Sequence, residues 1–242
     1  MANLLQSVRD NLSFLLVCLA ITAGLVLLAV LAERFLLHTK RRLSAAHTIT
    51  SIAMFSALAG VLMLVEIPLF FAPGFYKLDL SELPVLICAF YLGPVSGVIC
   101  ELLKVLIKLM IKGTGTAFVG DFANFLVGCS FVLPASVLYP LIHSKRGAVA
   151  SMALGTVVMT VFGSMFNAWF LLPKFAELYG IPMDVIIQMG TAVNASIIDI
   201  RTLVLFAVVP FNLLKGLVVS ALTFLLYKRI ERVFFHRLQK TS

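Results

Sequence analysis

Long apolar segments follow one another along almost the whole chain, separated by short groups of polar or basic residues. A helix needs about 20 apolar residues to cross the hydrocarbon core of a bilayer, and about seven segments have suitable character. They cover residues 12–37, 46–69, 122–142, 149–172 and 195–227, with two shorter ones on either side of Leu92-Gly93-Pro94. This pattern predicts an all-α fold, a polytopic transmembrane helix bundle.

Charge is sparse and unevenly placed. The chain is 61% hydrophobic and only 12% charged, which is unlike a soluble domain. The net charge of +8 comes mainly from basic residues grouped in 38–42, 144–146 and 228–240. The positive-inside rule places these three segments in the cytoplasm, which leaves the N-terminus outside and the C-terminus inside a cell membrane. The positive charge is then a feature of membrane topology, and a nucleic-acid partner is not expected.

One predicted helix carries a row of charges, Glu101, Lys104, Lys108 and Lys112. At 100° per residue these positions fall within roughly 80° of one another, so they form one stripe. Charge at membrane depth is costly unless it faces protein or water. The stripe therefore predicts a polar interior, in which Glu101 and Lys104 pair. Lys108 and Lys112 are expected nearer the outer mouth, where they either draw an anionic ligand or reach the interface.

Three connections, 67–82, 113–120 and 173–191, are longer and richer in aromatic residues than the basic connections. Pro and Gly residues predict an extended or partly ordered course for the first. The third is expected to contain a short amphipathic helix at the interface. Since the basic connections are cytoplasmic, these three predict a binding mouth on the outer side.

Enzymatic chemistry finds no support in the sequence. No HExxH, GxSxG or Walker A motif is present, so ATP hydrolysis would require another subunit. The four cysteines lie in apolar segments without metal-ligand spacing, and the histidines are scattered. We therefore expect neither an enzyme nor a metal site.

Amides and charges recur within or beside the apolar helices. Any one of them could simply hydrogen-bond across the bundle. As a set, with aromatic residues nearby, they suit a planar heteroaromatic ligand, whose ring stacks on aromatic side chains while amides read its polar edge. The polar set is Glu101, Lys104, Asp121, Asn124, Asn167, Asn194, Asp199, Arg201, Asn212 and Lys215, and the candidate aromatic walls are Phe75, Tyr76, Phe122, Phe125, Phe166 and Trp169. Within the set, Asp199 is expected to be a helix cap and Arg201 an interfacial charge.

Small residues recur on the second predicted span, at Ala53 and Ala57 and then Gly60. Small side chains at four-residue spacing allow two helices to approach closely. This spacing is compatible both with packing inside the bundle and with docking of a partner.

Five motifs occur in an order that resembles the substrate-binding S components of energy-coupling factor (ECF) vitamin transporters, and among them the riboflavin-specific members. The motifs are Lys77-Leu-Asp79-Leu-Ser81-Glu82-Leu-Pro84, Leu92-Gly93-Pro94 with Gly97, Glu101 and Lys104, Gly120-Asp121-Phe-Ala-Asn124-Phe125 with Gly128, Asn167 with Leu171-Leu172-Pro173, and Pro210-Phe211-Asn212 with Lys215-Gly216. Two positions depart from the riboflavin pattern, since Val105 replaces an expected Asn and Asp121 an expected Glu.

The resemblance implies a six-helix bundle that captures riboflavin from outside, with loops closing over it, as a transported ligand rather than a resident cofactor. It implies a transmembrane coupling subunit and two ABC-type ATPases as partners, with Ala53 and Ala57 docking the coupling subunit. The implied ligand-binding residues are Tyr76, Asp79, Glu101, Lys104, Asp121, Asn124, Asn167, Asn212 and Lys215.

Within this set, Lys215 is expected to donate to a ring carbonyl. The three asparagines are expected to read the pyrimidine edge or the ribityl hydroxyls, and residues 76–79 to help close the site. Glu101 and Lys104 are better candidates for pairing near the site than for direct contact.

The first apolar segment stands outside the usual six helices. It is too long for a signal-peptide core and is not preceded by a basic segment, so we expect a retained helix in residues 1–43 and the S-component bundle in 44–242. Two alternatives remain open. One keeps the fold but binds flavin mononucleotide or another vitamin, and the other is an integral-membrane enzyme or scaffold.

Overall fold

The structure is a computed structural model that describes residues 12–37, 44–116, 118–142 and 144–230. Ten α-helices occupy most of these residues and form an all-α bundle. They are α1 (Leu12–Ala32), α2 (Ala45–Met63), α3 (Glu82–Leu92), α4 (Pro94–Lys112), α5 (Val119–Ile142), α6 (Lys145–Phe166), α7 (Leu172–Tyr179), α8 (Met183–Thr191), α9 (Ile200–Leu203) and α10 (Val209–Ile230).

Three five-residue π-helical turns extend or join these helices. One, Glu33–Leu37, continues α1; Asn167–Leu171 joins α6 to α7, and Val204–Val208 joins α9 to α10. By length and composition, five stretches of the described chain could cross a membrane, namely Leu16–Leu36, Ala45–Met63, Val119–Ile142, Lys145–Tyr179 and Ile200–Leu226. The two spans predicted on either side of Gly93 are not among these five. Helix α3 has only 11 residues, and α4 contains the four residues of the charged stripe.

Helix α3 does not cross the membrane. Its 11 residues, Glu82–Leu92, extend about 16 Å, roughly half of a hydrocarbon core. Every one of them is buried, because α2, α4, α5 and α10 pack around the helix. The polar residues that precede α3 consequently enter the bundle from one end and reach its middle.

Contacts between helix ends define two ends of the bundle. At one end, Nε2 of His47 at the start of α2 lies 2.9 Å from the hydroxyl of Tyr91 near the end of α3. At the other, Nζ of Lys112 lies 2.7 Å from Oε1 of Glu66, just after α2. The segment that follows Glu66 pairs Ile67–Pro68 with Lys77–Leu78 as a short antiparallel ladder. This agrees with the extended course predicted for that connection.

The additional N-terminal helix packs on the outside of the bundle. Leu25, Val26 and Ala29 of α1 lie against α4 and α5, and only Ala29 is buried. Near the end of the helix, Oε1 of Glu33 would lie 3.1 Å from a Cβ at Gly93. The end of α1 therefore meets the α3–α4 turn, as expected if both belong to the same side of the membrane.

Several helix boundaries differ from the predicted spans. Helix α2 stops at Met63, six residues earlier than predicted, where the charged and Pro-containing segment begins. The last span starts at Ile200 rather than 195, because Asp199 caps it by accepting from the backbone N–H of Thr202 at 2.7 Å. This confirms the predicted cap, and Arg201 beside it is exposed.

The predicted third connection is helical rather than a loop. Helix α7 continues α6 through the π turn Asn167–Leu171, and Pro173 is its second residue. It ends at Gly180, whose φ of 60° is a left-handed cap that favours glycine. Helix α8 follows and confirms the short helix expected in this region.

Candidate functional site

Five charged side chains meet in the interior of the bundle, and we call them the charged cluster: Asp79, Glu82, Glu101, Lys104 and Lys215. None is more than 5% exposed. Nζ of Lys104 lies 2.9 Å from Oε2 of Glu82 and also pairs with Glu101. Nζ of Lys215 lies 3.0 Å from Oε1 of Glu82 and 3.1 Å from Oδ2 of Asp79. The cluster therefore joins the segment before α3 to helices α3, α4 and α10.

Glu82 is the centre of this arrangement because each of its oxygens contacts a different lysine. It lies in the first turn of the short helix α3 and is 1% exposed, so its carboxylate has almost no contact with bulk water. Burying a charge is costly unless it is paired in good geometry. Glu82 supplies that pairing for both lysines.

A glycine on α5 makes room for two of the carboxylates. A Cβ at Gly128 would overlap Oε1 of Glu101 and would approach Oε2 of Glu82 to 3.0 Å. No larger residue fits without displacing a charged group. The glycine in the third motif is thus explained by the close approach of α5 to the charged cluster.

A second group of polar side chains surrounds Gly163 on α6. The hydroxyl of Tyr76 donates to Oδ1 of Asn167 at 2.8 Å, and Nδ2 of Asn167 donates to the Gly163 carbonyl at 2.7 Å. Burial raises the pKa of Tyr76, so the phenol stays neutral and can donate. A Cβ at Gly163 would lie 2.9 Å from Nδ2 of Asn212, so the absence of a side chain at Gly163 lets the Asn212 amide pack against α6.

Some polar atoms in this second group have no hydrogen-bond partner among the described residues. They are Nδ2 of Asn212 and Oγ of Ser164, both buried. A buried donor without a partner costs about 1–3 kcal/mol. Asn212 lies one turn before Lys215 on α10, so an unpaired amide donor and a buried ammonium group occupy neighbouring positions on one helix face.

Lys108 and Lys112, the last two residues of the charged stripe, form ion pairs with carboxylates of the protein. Nζ of Lys108 lies 2.6 Å from Oδ1 of Asp121 on α5 and donates to the Gly113 carbonyl at 3.0 Å. Lys112 pairs with Glu66, which also pairs with Lys77 at 2.7 Å. Carboxylates of the protein pair with both lysines, which favours the second of the two alternatives for Lys108 and Lys112 over the attraction of an anionic ligand.

The two lysines also set the ionisation of Glu66, which lies outside the membrane-spanning helices. Partial burial acts to raise the pKa of this carboxyl, but hydrogen bonds and attraction from Lys112 and Lys77 outweigh it. The pKa of Glu66 consequently lies below its ordinary value. The three side chains tie the segment before α3 to the end of α4.

The polar residues predicted from the sequence fall into separate groups. The predicted pairing of Glu101 with Lys104 is confirmed. Asp121 pairs with Lys108, and Oδ1 of Asn124 has no hydrogen-bond partner among the described residues. Neither makes a hydrogen bond or ion pair with the charged cluster that the structure records. Asn194 lies in the connection after α8, where its Oδ1 accepts from the Ser196 N–H at 3.0 Å, so it is a turn residue.

The aromatic walls differ in part from the prediction. Trp169 is 76% exposed and faces outward from the bundle, so its assignment as a wall was wrong. Tyr76 is buried, and its ring centroid lies 4.6 Å from that of Phe75 and 5.5 Å from that of Phe211. Phe211 was not predicted, although it precedes Asn212 in the last motif.

Sequence reasoning also missed Glu82 and Glu66. Glu82 stands at the outer end of connection 67–82 if the apolar segment that follows it is a membrane span. That segment contains only 11 residues before the Gly93 turn, too few to cross a bilayer. Its length is the signal that could have placed Glu82 inside the protein.

The small-residue face of α2 divides into two parts. Ala53 and Ala57 are exposed, on the side opposite the buried residues Ile52 and Phe55. Gly60 points inward instead, where a Cβ would lie 2.6 Å from Ile107. Of these three small residues, the two alanines are therefore available to another protein in the membrane.

Comparison with known proteins places the chain in a family. A model of the family described as "ECF transporter, substrate-specific component" matches residues 47–227. The chain belongs to this family. It is a multi-pass membrane protein and a transporter component rather than an enzyme. Helix α1 lies outside the matched residues.

Named relatives agree with this assignment. The chain is 35% identical over 180 residues to the riboflavin transporter RibU of Staphylococcus aureus, which covers 74% of this chain and 88% of the relative. It is 30% identical to the riboflavin transporter FmnP of Bacillus subtilis, over 74% of this chain and 90% of the relative. A solved S component of a bacterial ECF transporter superimposes with a TM-score of 0.63 at 34% identity, covering 78% of this chain and 98% of that structure.

Proposed function

We propose that this protein is the riboflavin-binding S component of an ECF transporter, which captures the vitamin from the outer side for ATP-driven uptake. The observation that carries the proposal is the unpaired, buried Nδ2 of Asn212 next to the buried ammonium group of Lys215. Relatives named as riboflavin transporters support the identity of the ligand.

The chemistry of the flavin ring fits these side chains. Its pyrimidine edge presents carbonyl oxygens on both sides of one ring N–H, so it needs donors and one acceptor. Lys215 and Asn212 supply the donors in this proposal, and the amides of Asn212 and Asn167 also carry acceptor oxygens. Asn124 serves the ribityl hydroxyls. Tyr76 and Phe211 offer aromatic faces beside these groups.

Residues 76–79, in the segment before α3, close the site over the ligand in this proposal. Asp79 pairs with Lys215, and Tyr76 donates to Asn167, so the segment binds two of the proposed ligand-binding side chains. A flavin carbonyl that accepts from Lys215 shares that ammonium group with Asp79 and Glu82. Entry of the ligand therefore changes the contacts that hold the segment, and closure of the site is linked to occupancy.

Titration of the purified protein with riboflavin, followed by quenching of flavin fluorescence, tests the proposal. We expect Lys215→Ala, Asn212→Ala and Asn167→Ala each to weaken binding by about 10- to 100-fold, since each removes a buried hydrogen bond to the ligand. Lys174→Ala is the matched control because Lys174 pairs only with the exposed Glu177 in the structure. Unchanged binding in both Lys215→Ala and Asn167→Ala would show that the site lies elsewhere.

A competition binding assay identifies the preferred ligand. Riboflavin, its monophosphate, folate and thiamine compete for the same protein, and we expect riboflavin to bind most tightly. With Lys108 and Lys112 paired, the structure offers no observation that favours the phosphorylated flavin. Tighter binding of the monophosphate would contradict this expectation.

The proposed partners are a transmembrane coupling subunit and two ABC-type ATPases, with Ala53 and Ala57 as the docking face. Exposure of both alanines on α2 supports this. We expect Ala57→Leu to abolish riboflavin uptake in cells while leaving riboflavin affinity unchanged. Ala153→Leu, at another exposed position on α6, should change neither. Equal loss of uptake in both variants would argue against a specific docking face.

The proposal also includes an N-terminus outside and a C-terminus in the cytoplasm, with residues 1–43 as a unit separate from the S-component bundle in 44–242. Labelling with a membrane-impermeant thiol reagent tests this orientation. Phe70→Cys, at a side chain that is 92% exposed, should react in intact cells. Lys145→Cys, at the opposite end of the bundle, should react only after lysis, and the reverse result would invert the topology.

A further inference from the structure

A large apolar groove lies between the additional N-terminal helix and the bundle, away from the charged cluster. Its volume is about 870 Å³, and it is lined by α1, α5 and α6 through residues such as Leu28, Leu36, Leu133, Val137 and Phe162. The only hydroxyl in the lining, that of Ser130, donates to the Val127 carbonyl at 2.6 Å. The groove therefore offers nothing that would read a polar ligand such as a flavin.

The dimensions of the groove suit a lipid chain. Its lining on α1 and the π turn after it extends from Ile21 to Leu36, which corresponds to about 22 Å along the helix. One leaflet of a bilayer has about 15 Å of hydrocarbon. The groove is thus long enough to hold an acyl chain along its whole depth in one leaflet.

Basic side chains lie at one end of the groove. Leu36 and Val137 line this end, and α5 continues from Val137 by five residues, or about 7.5 Å, before the connection to α6. The exposed Arg34 lies in the π turn that contacts α5, and the exposed Lys145 and Arg146 begin α6. None of the three pairs with a carboxylate among the described residues.

We propose that this groove binds an anionic phospholipid, with an acyl chain along α1 and the phosphate held by Arg34, Lys145 and Arg146. The apolar lining accounts for the chain, and the three cations at one end account for selection of a negative headgroup. Since α1 lies outside residues 47–227, the site would be an addition of this chain to the family bundle. It would connect α1 to α5 and α6 through the lipid and does not depend on the flavin proposal.

Quenching of tryptophan fluorescence by lipids with brominated acyl chains can test this, because the chain contains a single tryptophan. The full-length reporter Phe162→Trp combined with Trp169→Phe places the fluorophore in the groove. Wild-type Trp169, which is exposed and absent from the groove lining, reports the surrounding bilayer. Both proteins are reconstituted in phosphatidylcholine vesicles that contain increasing fractions of brominated phosphatidylglycerol or brominated phosphatidylcholine.

We expect the groove reporter to reach half-maximal quenching at an about fivefold lower fraction of brominated phosphatidylglycerol than of brominated phosphatidylcholine. Wild-type Trp169 should not distinguish the two lipids. Changing Arg34, Lys145 and Arg146 to Gln in the reporter should remove the preference, whereas Lys174→Gln at the other end of the bundle should keep it. Equal quenching of the groove reporter by the two lipids would overturn the proposal, as would a preference that survives the triple substitution.

A second copy of the chain is the competing occupant. Cross-linking of the reporter protein in the same vesicles measures its oligomeric state. We expect that state to be independent of the phosphatidylglycerol content. A dimer whose formation protects the groove reporter from both brominated lipids would also overturn the proposal. Even if the triple variant fails to fold, the comparison of the two lipids on the reporter decides the outcome.

Discussion

Glu82 and Glu101 occupy the same charged cluster, and the structure predicts a large loss of stability on replacing Glu82 and a small change on replacing Glu101. Glu82 contacts Lys104 at 2.9 Å and Lys215 at 3.0 Å. Glu101 makes one ion pair among the described residues, with Lys104, and its carboxyl group also lies beside that of Glu82. Glu82→Gln and Glu101→Gln keep the shape of each side chain and replace one carboxyl group by an amide, so they form a matched pair.

The expected cost follows from the contacts. Removing one partner of a buried ion pair costs about 3–5 kcal/mol. The cost of a change to glutamine is smaller, because glutamine keeps one oxygen that accepts a hydrogen bond from the lysine. We therefore expect Glu82→Gln to lower the free energy of unfolding by about 2–4 kcal/mol, because it weakens two charged hydrogen bonds. Glu101→Gln weakens one contact, with Lys104, and also removes a third carboxyl group from beside the carboxyl group of Glu82. These effects oppose each other, and the net change should be about 1 kcal/mol or less.

Unfolding of the purified proteins by sodium dodecyl sulfate in mixed micelles, followed by circular dichroism, measures both changes. Glu177→Gln is the control, since its exposed pair with Lys174 should contribute no more than about 0.5 kcal/mol. If Glu101→Gln destabilises the protein as much as Glu82→Gln does, Glu82 is not the centre of the cluster and the reasoning fails.

Three further predictions concern the surroundings of the cluster. Gly128→Ala should destabilise the protein by more than about 2 kcal/mol in the same assay, because its Cβ would overlap a buried carboxylate, while Gly115→Ala, with open space around it, should be neutral; equal effects would contradict this. Tyr76→Phe removes the donor to Asn167 and should speed riboflavin dissociation about fivefold in stopped-flow fluorescence, and an unchanged rate would argue against closure by this segment. Because the folded pKa of Glu66 is depressed, its ion pairs stabilise the protein above the ordinary pKa of 4.5 and are lost as the pH falls through the lower folded value. The difference in unfolding free energy between wild type and Glu66→Gln, at most about 1 kcal/mol at pH 7, should therefore shrink on acidification, and a difference that grows would refute the sign.

Local features of the fold could be predicted because they depend on residues close in sequence. Apolar length gave the long helices, Asp199 was recognisable as a cap, and Glu101 lies one turn from Lys104. The contact between Lys215 and Asp79 joins residues 136 positions apart, and no local pattern encodes it. Glu82 could have been placed from the length of the apolar segment after it, whereas its position between two lysines requires the packing of α3, α4 and α10.

The outward direction of Trp169 follows from the ordinary phase of the helix. Trp169 lies four residues after the exposed Met165 and two residues after the buried Asn167, so at 100° per residue it shares the outer face with Met165. Its choice as a wall rests on its being aromatic and close to Asn167 in sequence. Helical periodicity could therefore have placed Trp169 on the outer face.

Satisfied and unsatisfied polar groups have different roles in this interior. The two buried lysines have carboxylate partners from three separate elements, so these ion pairs already hold α3, α4 and α10 together before a ligand enters. Nδ2 of Asn212 has no partner among the described residues and gains a hydrogen bond only when something else supplies an acceptor. Loss of a cluster carboxylate should therefore appear first in stability, and loss of the Asn212 amide first in affinity. Measuring both quantities on both kinds of variant separates the scaffold from the recognition site, because a shared role would make stability and affinity change together.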